Sequence, residues 1–117
     1  MRMYMIRHGE SMANAKHLHA GWSQTPLSPK GEAEAQCLAE LLKHYTFDKV
    51  YSSDLLRAKQ TKALALPESD AVLTELLREI SVGELAGKRA DACLRQYGER
   101  YLTDKAARDF RFFGGEN

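Results

Sequence analysis

Two arginines and a histidine stand where this chain could do chemistry on a phosphate group. Arg7 and His8 come directly after the apolar residues 1–6, and Arg57 follows a second apolar run. Arginine offers forked N–H donors that fit phosphate oxygens, and a neutral histidine beside such cations can attack phosphorus. Gly9 would let the phosphate approach the backbone closely. These residue types indicate phosphoryl transfer through a histidine nucleophile.

Each of these residues also has an ordinary structural interpretation. An Arg-His-Gly sequence after a strand is more often a surface turn than a nucleophile, and a single helix arginine is usually solvated. The position of Arg57 reverses that balance, because it lies in the first turn of a helix that follows a strand. Ligands in α/β folds bind at the carboxyl ends of the strands, where helix N-termini attract anions. We therefore expect Arg7, His8 and Arg57 to converge.

The elements that must position these residues are short apolar runs alternating with helical patterns. Residues 1–6 (MRMYMI), 48–51 and 71–73 predict three strands, the first of them buried. Ser28 as N-cap and Pro29 at the first helical position predict the start of a helix between the first two strands. This alternation predicts an α/β fold with right-handed crossovers and a largely parallel sheet.

Further boundaries come from single residues. Asp54 is predicted to cap a helix that ends before Pro67. A last amphipathic helix is expected over residues 90–101, interrupted near Gly98. The tail, residues 110–117 (FRFFGGEN), is expected to end in an exposed turn.

Composition sets mild bounds. The chain has 117 residues, enough for one domain, with 44% hydrophobic and 28% charged residues and a net charge of +1. That charge argues against a nucleic-acid or membrane surface, so neither partner is expected. Cys37 and Cys93 lie on apolar helix faces without metal-ligand spacing, which favours buried, reduced thiols and a cytoplasmic location. The sequence has no signal peptide or membrane-span pattern.

Several segments together resemble a known family. Arg7-His8-Gly9-Glu10-Ser11 resembles the signature of the histidine phosphatase superfamily, also called phosphoglycerate mutase-like. Further segments resemble five motifs of that family in the same order along the chain: Asn14, Gly21-Trp22 together with Pro26 to Gly31, Ser52 to Thr61, Leu77 to Lys88, and Gly114 to Glu116. One such motif would be weak, but five in order with sensible spacing are a specific signal.

The resemblance implies a fold and a set of catalytic residues. The fold is a three-layer sandwich with a mostly parallel central sheet flanked by helices, and residues 1–117 would form the N-terminal portion of a single domain. His8 would become phosphorylated, held by Arg7 and Arg57. Glu79 would first protonate the leaving group and then activate water, although Glu75 and Glu84 lie nearby in the sequence.

The resemblance also implies a substrate class. Asn14 and Gly21 would lie against the phosphate, and no metal or other cofactor would be needed. The substrate would be a small phosphorylated metabolite, hydrolysed as by α-ribazole phosphatase-like or broad-specificity members. Two alternatives stay open: a phosphoglycerate mutase-type phosphotransferase, and a non-catalytic phosphate-binding fragment.

The chain departs from the family pattern in three places. Gln24 replaces an aspartate, Leu85-Ala86 replaces Trp-Glu, and no segment carries the second catalytic histidine. The other histidines are His17, His19 and His44, and none follows an apolar run and precedes a glycine. We therefore expect a fragment of a longer protein, or a chain that needs a complementary chain or forms a homodimer, because an incomplete sheet exposes apolar edges.

Overall fold

The computed structural model describes residues 1–117 as helices around a small parallel sheet. The helices and strands follow one another along the chain as α1 (Met12–Ala15), α2 (Pro29–Leu42), β1 (Tyr51–Ser53), α3 (Leu56–Ala65), β2 (Val72–Thr74), α4 (Ala90–Tyr97) and α5 (Glu99–Ala107). Short 3-10 turns lie at Glu75–Leu77, Gly83–Leu85 and Arg111–Phe113. Strand, helix and parallel strand in this order make the fold α/β, as predicted.

The sheet has two strands joined through α3. Strands β1 and β2 run parallel, with Ser52 opposite Leu73. Helix α2 packs against α3, and α3 lies against β1. The arrangement carries the chain from the end of β1 directly into the helix that bears Arg57.

The start of α2 follows the predicted capping chemistry. The hydroxyl of Ser28 accepts a hydrogen bond from the amide of Gly31 at 3.1 Å, and Pro29 occupies the first helical position. Proline needs no N–H partner there, and its fixed φ suits a helix. The predicted interruption of the last helix is also confirmed, since α4 and α5 meet at Gly98, whose φ is +57°.

A compact core lies in the C-terminal third of the chain. Its six buried residues are Val82, Leu85, Cys93, Tyr101, Phe110 and Phe113. The tail ends in the exposed residues Gly114, Glu116 and Asn117, as expected, but Phe110 and Phe113 enter this core, and the amide of Glu116 donates to the carbonyl of Ser81 at 2.9 Å. The tail therefore closes over the segment that follows Glu79.

Residues 1–6 do not form the predicted buried strand. None of the backbone hydrogen bonds involves them, and Met1, Met3 and Met5 are exposed. A strand forms only where a neighbouring strand supplies hydrogen-bond partners for its amides and carbonyls. In this structure β1 and β2 pair with each other, and neither pairs with residues 1–6. Tyr4 makes edge-on aromatic contacts with Tyr45 and Phe47.

Two smaller expectations also need correction. Asp54 does not cap α3: the N-cap is Leu55, which makes no side-chain capping bond, and Asp54 pairs with Arg78 instead. Cys37 is exposed, whereas Cys93 is buried, and burial raises the pKa of its thiol. None of the helices combines the length and apolarity needed to cross a bilayer.

Candidate active site

The imidazole of His8 makes two hydrogen bonds that define its tautomer. Its Nδ1 lies 2.7 Å from the carbonyl of Gly9, which can only accept, so Nδ1 carries the proton. Its Nε2 accepts a bond from Nε of Arg57 at 3.3 Å. The imidazole is therefore neutral, and the lone pair that a nucleophile requires lies on Nε2, where it accepts the bond from Arg57.

Arg57 is buried, with 2% of its surface exposed, and its guanidinium is held by backbone carbonyls. Its Nη1 donates to the carbonyl of Ser23 at 3.1 Å, and its Nη2 donates to that of Gly21 at 2.9 Å. Carbonyl oxygens compensate the buried charge only in part, so burial lowers the pKa of Arg57. The guanidinium is thereby fixed beside His8 before any ligand arrives.

The electrostatic surroundings favour neutral imidazole. Burial is the main cause that lowers the pKa of His8, and the charges of Arg57 and Arg7 lower it further. The hydrogen bond to the Gly9 carbonyl and the negative charge of Glu79 act in the opposite direction. The net effect is a pKa of His8 below the ordinary value of 6.5, which favours the neutral imidazole.

The backbone after His8 is packed tightly against the first turn of α2. A side chain at Gly9 would collide with the backbone of Gly31, which explains why glycine is needed at this close approach. The carbonyl of Glu10 accepts from the amide of Ser28 at 2.8 Å, and the Ser28 hydroxyl donates to the Glu10 carboxylate at 2.7 Å. Glu10 therefore supports the capped start of α2.

An open polar cavity of about 310 Å³ borders His8. It is lined by Arg7, His8, Gly9, Glu10, Asn14 and Glu34. The side-chain oxygen of Asn14 accepts from the amide and hydroxyl of Ser11 at 3.0 and 2.9 Å, which completes a capping box at the start of α1. Arg7 and Asn14 thus share a cavity with His8, whereas Arg57 and Glu79 do not line it.

Among the three nearby glutamates, Glu79 is the one whose charge acts on His8 and Arg57. Glu79 is an exposed residue, and its main-chain carbonyl accepts a hydrogen bond from the indole Nε1 of Trp22 at 2.7 Å. Glu84 accepts a hydrogen bond from the hydroxyl of Tyr97.

Gly21 lies behind Arg57. Its φ is +49°, and an added Cβ would come within 2.7 Å of a methyl carbon of Val82. Only glycine fits this conformation and this space. The carbonyl of Gly21 holds Arg57, and its contact with phosphate stays a prediction.

No other histidine contacts His8. The Nε2 of His19 lies 2.8 Å from the hydroxyl of Tyr101, and His17 and His44 are exposed. Among these four histidines, only His8 contacts Arg57.

Sequence reasoning missed four residues that organise the site. Thr61 accepts from the amide of Gly9 at 3.1 Å, and Gln24 accepts from the amide of Leu56 at 2.8 Å. Trp22 and Arg78 hold the backbone around Glu79. Only Thr61 carried a usable signal, because it stands four residues after Arg57 on the same helix face.

Comparison with known proteins gives one family. The model of the histidine phosphatase superfamily (branch 1) matches residues 3–117. Adenosylcobalamin/alpha-ribazole phosphatase of Salmonella typhimurium is 43% identical over 79 residues, covering 65% of this chain and 39% of that protein. The 2,3-bisphosphoglycerate-dependent phosphoglycerate mutase 2 of Gloeobacter violaceus is 34% identical over 121 residues, covering 98% of this chain and 55% of that protein.

A solved structure agrees with the sequence comparison. The alpha-ribazole phosphatase of Shigella flexneri superposes with a TM-score of 0.84 at 31% identity, covering 96% of this chain and 57% of that one. The chain thus spans about half the length of the relatives it matches.

Proposed function

Because the chain belongs to the histidine phosphatase superfamily (branch 1), we propose that it carries the phosphoryl-accepting part of a phosphomonoesterase site. Residues 1–117 are then the N-terminal portion of one histidine phosphatase domain. The observation that carries the proposal is the contact between His8 and Arg57. It pairs a neutral nucleophile with a fixed cation at the end of a strand-to-helix connection.

The proposed chemistry has two steps. In the first, Nε2 of His8 bonds to phosphorus while the bond from phosphorus to the ester oxygen breaks, and Glu79 supplies the proton that this oxygen needs. In the second, the oxygen of a water molecule bonds to phosphorus while the bond from phosphorus to Nε2 of His8 breaks; the proton of the water passes to Glu79, and inorganic phosphate leaves. Arg7 and Arg57 would balance the charge on the phosphoryl oxygens. A positive charge that is already fixed in place before the ligand binds is the most effective in stabilising the transition state.

The proposed substrate class is a small phosphorylated metabolite. Relatives named as alpha-ribazole phosphatases and phosphoglycerate mutases support a small phosphate ester rather than a macromolecule. The open cavity beside His8, with Arg7 and Asn14 on its wall, fits a ligand of that size. A cytoplasmic location stays a prediction from the cysteine usage.

Rapid-quench labelling tests the proposal. The purified chain is mixed with a ³²P-labelled sugar phosphate, quenched and denatured. We expect base-stable, acid-labile label in the wild-type chain and none in His8→Ala. Equal label in His8→Ala would contradict the proposal.

The alternative of a phosphate-binding chain without turnover is favoured by the histidine count. One histidine reaches the site, whereas the family uses two. Saturable binding of inorganic phosphate that depends on Arg57, without any label on His8, would support this alternative.

We also propose that further polypeptide covers the exposed apolar surface of residues 1–6 and β2. Val72 and Leu73 of β2 are exposed together with the first methionines, and the relatives are about twice as long. Light scattering with intact mass tests this. A stable, cooperatively folded 13.2 kDa monomer would contradict the proposal, and a dimer would show that a second copy is the cover.

A further inference from the structure

An ion pair joins the segment before Glu79 to the segment before α3. Nε and Nη2 of Arg78 donate to the two carboxylate oxygens of Asp54 at 2.7 and 2.5 Å. The side chains are 23% and 30% exposed, so the pair is partly shielded from water. Two parallel bonds between a planar guanidinium and a carboxylate define an orientation as well as a distance.

Trp22 holds the same segment from a second side. The guanidinium carbon of Arg78 lies 4.7 Å from the centroid of the Trp22 ring, and the Trp22 indole donates to the carbonyl of Glu79. Arginine over an indole face is an attractive contact. Trp22 therefore contacts two consecutive residues: the side chain of Arg78 and the backbone of Glu79.

The loop that carries Trp22 also holds Arg57. Gly21 and Ser23 flank Trp22 in the sequence, and their carbonyls accept hydrogen bonds from the Arg57 guanidinium. One short loop therefore contacts the residue beside His8 and the backbone of Glu79.

We propose that Arg78 is a positioning residue: paired with Asp54 and stacked on Trp22, it holds the segment that presents the Glu79 carboxylate to His8. The proposal rests on the role given to Glu79 in the proposed function. The Glu79 side chain needs such a support, because its one hydrogen bond is to the adjacent amide of Ile80 at 3.3 Å. An exposed carboxylate on an unsupported backbone would spend more time away from His8. Its electrostatic effect on His8 would then weaken, because that effect falls with distance.

The test is a titration of His8 by NMR in the full chain with ¹⁵N-labelled histidine. The His8 signals are identified by their loss in His8→Gln. Glu79→Gln should lower the pKa of His8, because the carboxylate of Glu79 raises it. Arg78→Lys keeps the positive charge but loses the fork, and should reproduce most of that fall. In a Glu79→Gln background, Arg78→Lys should cause no further fall.

Arg111 offers a matched control. It makes a two-bond pair of the same kind with Asp109, at 2.9 and 2.6 Å. Neither partner is among the charges that act on His8. Arg111→Lys should leave the His8 titration unchanged.

Two outcomes of the titration would overturn the proposal. One is a His8 pKa in Arg78→Lys equal to that of the wild type. The other is a fall of the same size with and without the Glu79 carboxylate, which would indicate a general structural effect. Asp54→Asn breaks the pair from the other side and should give the same pattern. If both variants unfold, the pair is a stability element and the proposal fails.

The outcome is separable from that of the proposed function. Missing label on His8 would contradict the phosphatase chemistry, yet the titration measures only where the Glu79 charge lies. A failed titration would leave phosphorylation of His8 intact.

Discussion

The amide of Gly9 donates a hydrogen bond to the hydroxyl of Thr61, 52 positions later in the chain, at 3.1 Å. The same hydroxyl donates to the carbonyl of Arg57 at 2.8 Å. One side chain therefore connects the residue after the candidate nucleophile to the turn that carries the buried arginine. The relative position of His8 and Arg57 depends on this connection as well as on their own contact.

Thr61→Val should destabilise the chain, because it keeps the shape of the side chain and leaves the buried amide of Gly9 without an acceptor. The expected cost is about 1–3 kcal/mol in the free energy of unfolding, measured by urea denaturation. Thr61→Ser is the matched control, since it keeps the hydroxyl and should cost about 1 kcal/mol or less. A serine variant less stable than the valine variant would show that the methyl group, not the hydrogen bond, is what matters.

Arg57→Gln should raise the pKa of His8, because it removes a nearby positive charge and the N–H that is bonded to the neutral imidazole. NMR titration of His8 measures the change. Arg95→Gln, at an exposed position of α4, is the control and should leave the pKa of His8 unchanged. A fall in the pKa on losing Arg57 would contradict the electrostatic assignment.

Stability should decrease as the pH falls below about 6.5, the ordinary histidine pKa. The folded chain lowers the pKa of His8, so the unfolded chain binds more protons between the folded and unfolded values. The contribution is complete above the unfolded pKa and is lost as the pH falls toward the folded one. His19 acts in the same direction, since burial lowers its pKa as well. Urea denaturation of His8→Asn across this range should show a weaker pH dependence than the wild type; an unchanged dependence would contradict the assignment.

Gly21→Ala should lower both stability and affinity for inorganic phosphate. A non-glycine residue at this left-handed φ costs about 1–3 kcal/mol, and the new methyl group would also meet Val82. Gly87→Ala is the matched control: the φ of Gly87 is +82°, and an added Cβ would meet no atom within 4 Å. This variant therefore has only the conformational cost. Because Gly21 holds Arg57, only the first variant should weaken phosphate binding, which calorimetry would measure. Equal affinity in both variants would separate Gly21 from the site.

Leu85→Ala should cost about 2–5 kcal/mol, because it opens a cavity in the C-terminal core. The Leu85 residue is 0% exposed, whereas Leu76 is 89% exposed and provides the control. Leu76→Ala should change the free energy of unfolding by less than about 0.5 kcal/mol. A large effect at Leu76 would show that its side chain is covered in solution.

Local chemistry allowed part of the fold to be predicted. Ser28 and Pro29 mark the start of α2 because their capping interactions lie within a few residues, and Gly98 divides the last helices for the same reason. The contact of His8 with Arg57 was also predicted, although residues 1–6 form no strand; it is held instead by Thr61 and by the carbonyls of Gly21 and Ser23.

The remainder depends on partners that are distant in the sequence. Asp54 could cap a helix or pair with an arginine, and only the folded chain brings Arg78 to it. The burial of Phe113 depends on the core around Leu85 in the same way. Residues 1–6 have the composition of a strand, but composition supplies no pairing neighbour.

The hydrogen bond from Arg57 to Nε2 of His8 has a consequence for selectivity. The lone pair that would attack phosphorus is occupied in the resting chain by the N–H of the guanidinium. A dianionic phosphate competes for that N–H and can free the lone pair as it binds, since charge-assisted bonds are the stronger ones. A neutral ester offers no such exchange and meets a nucleophile that is still blocked. In the proposed reaction, the arginine would thereby select incoming molecules by charge before any covalent bond is made or broken.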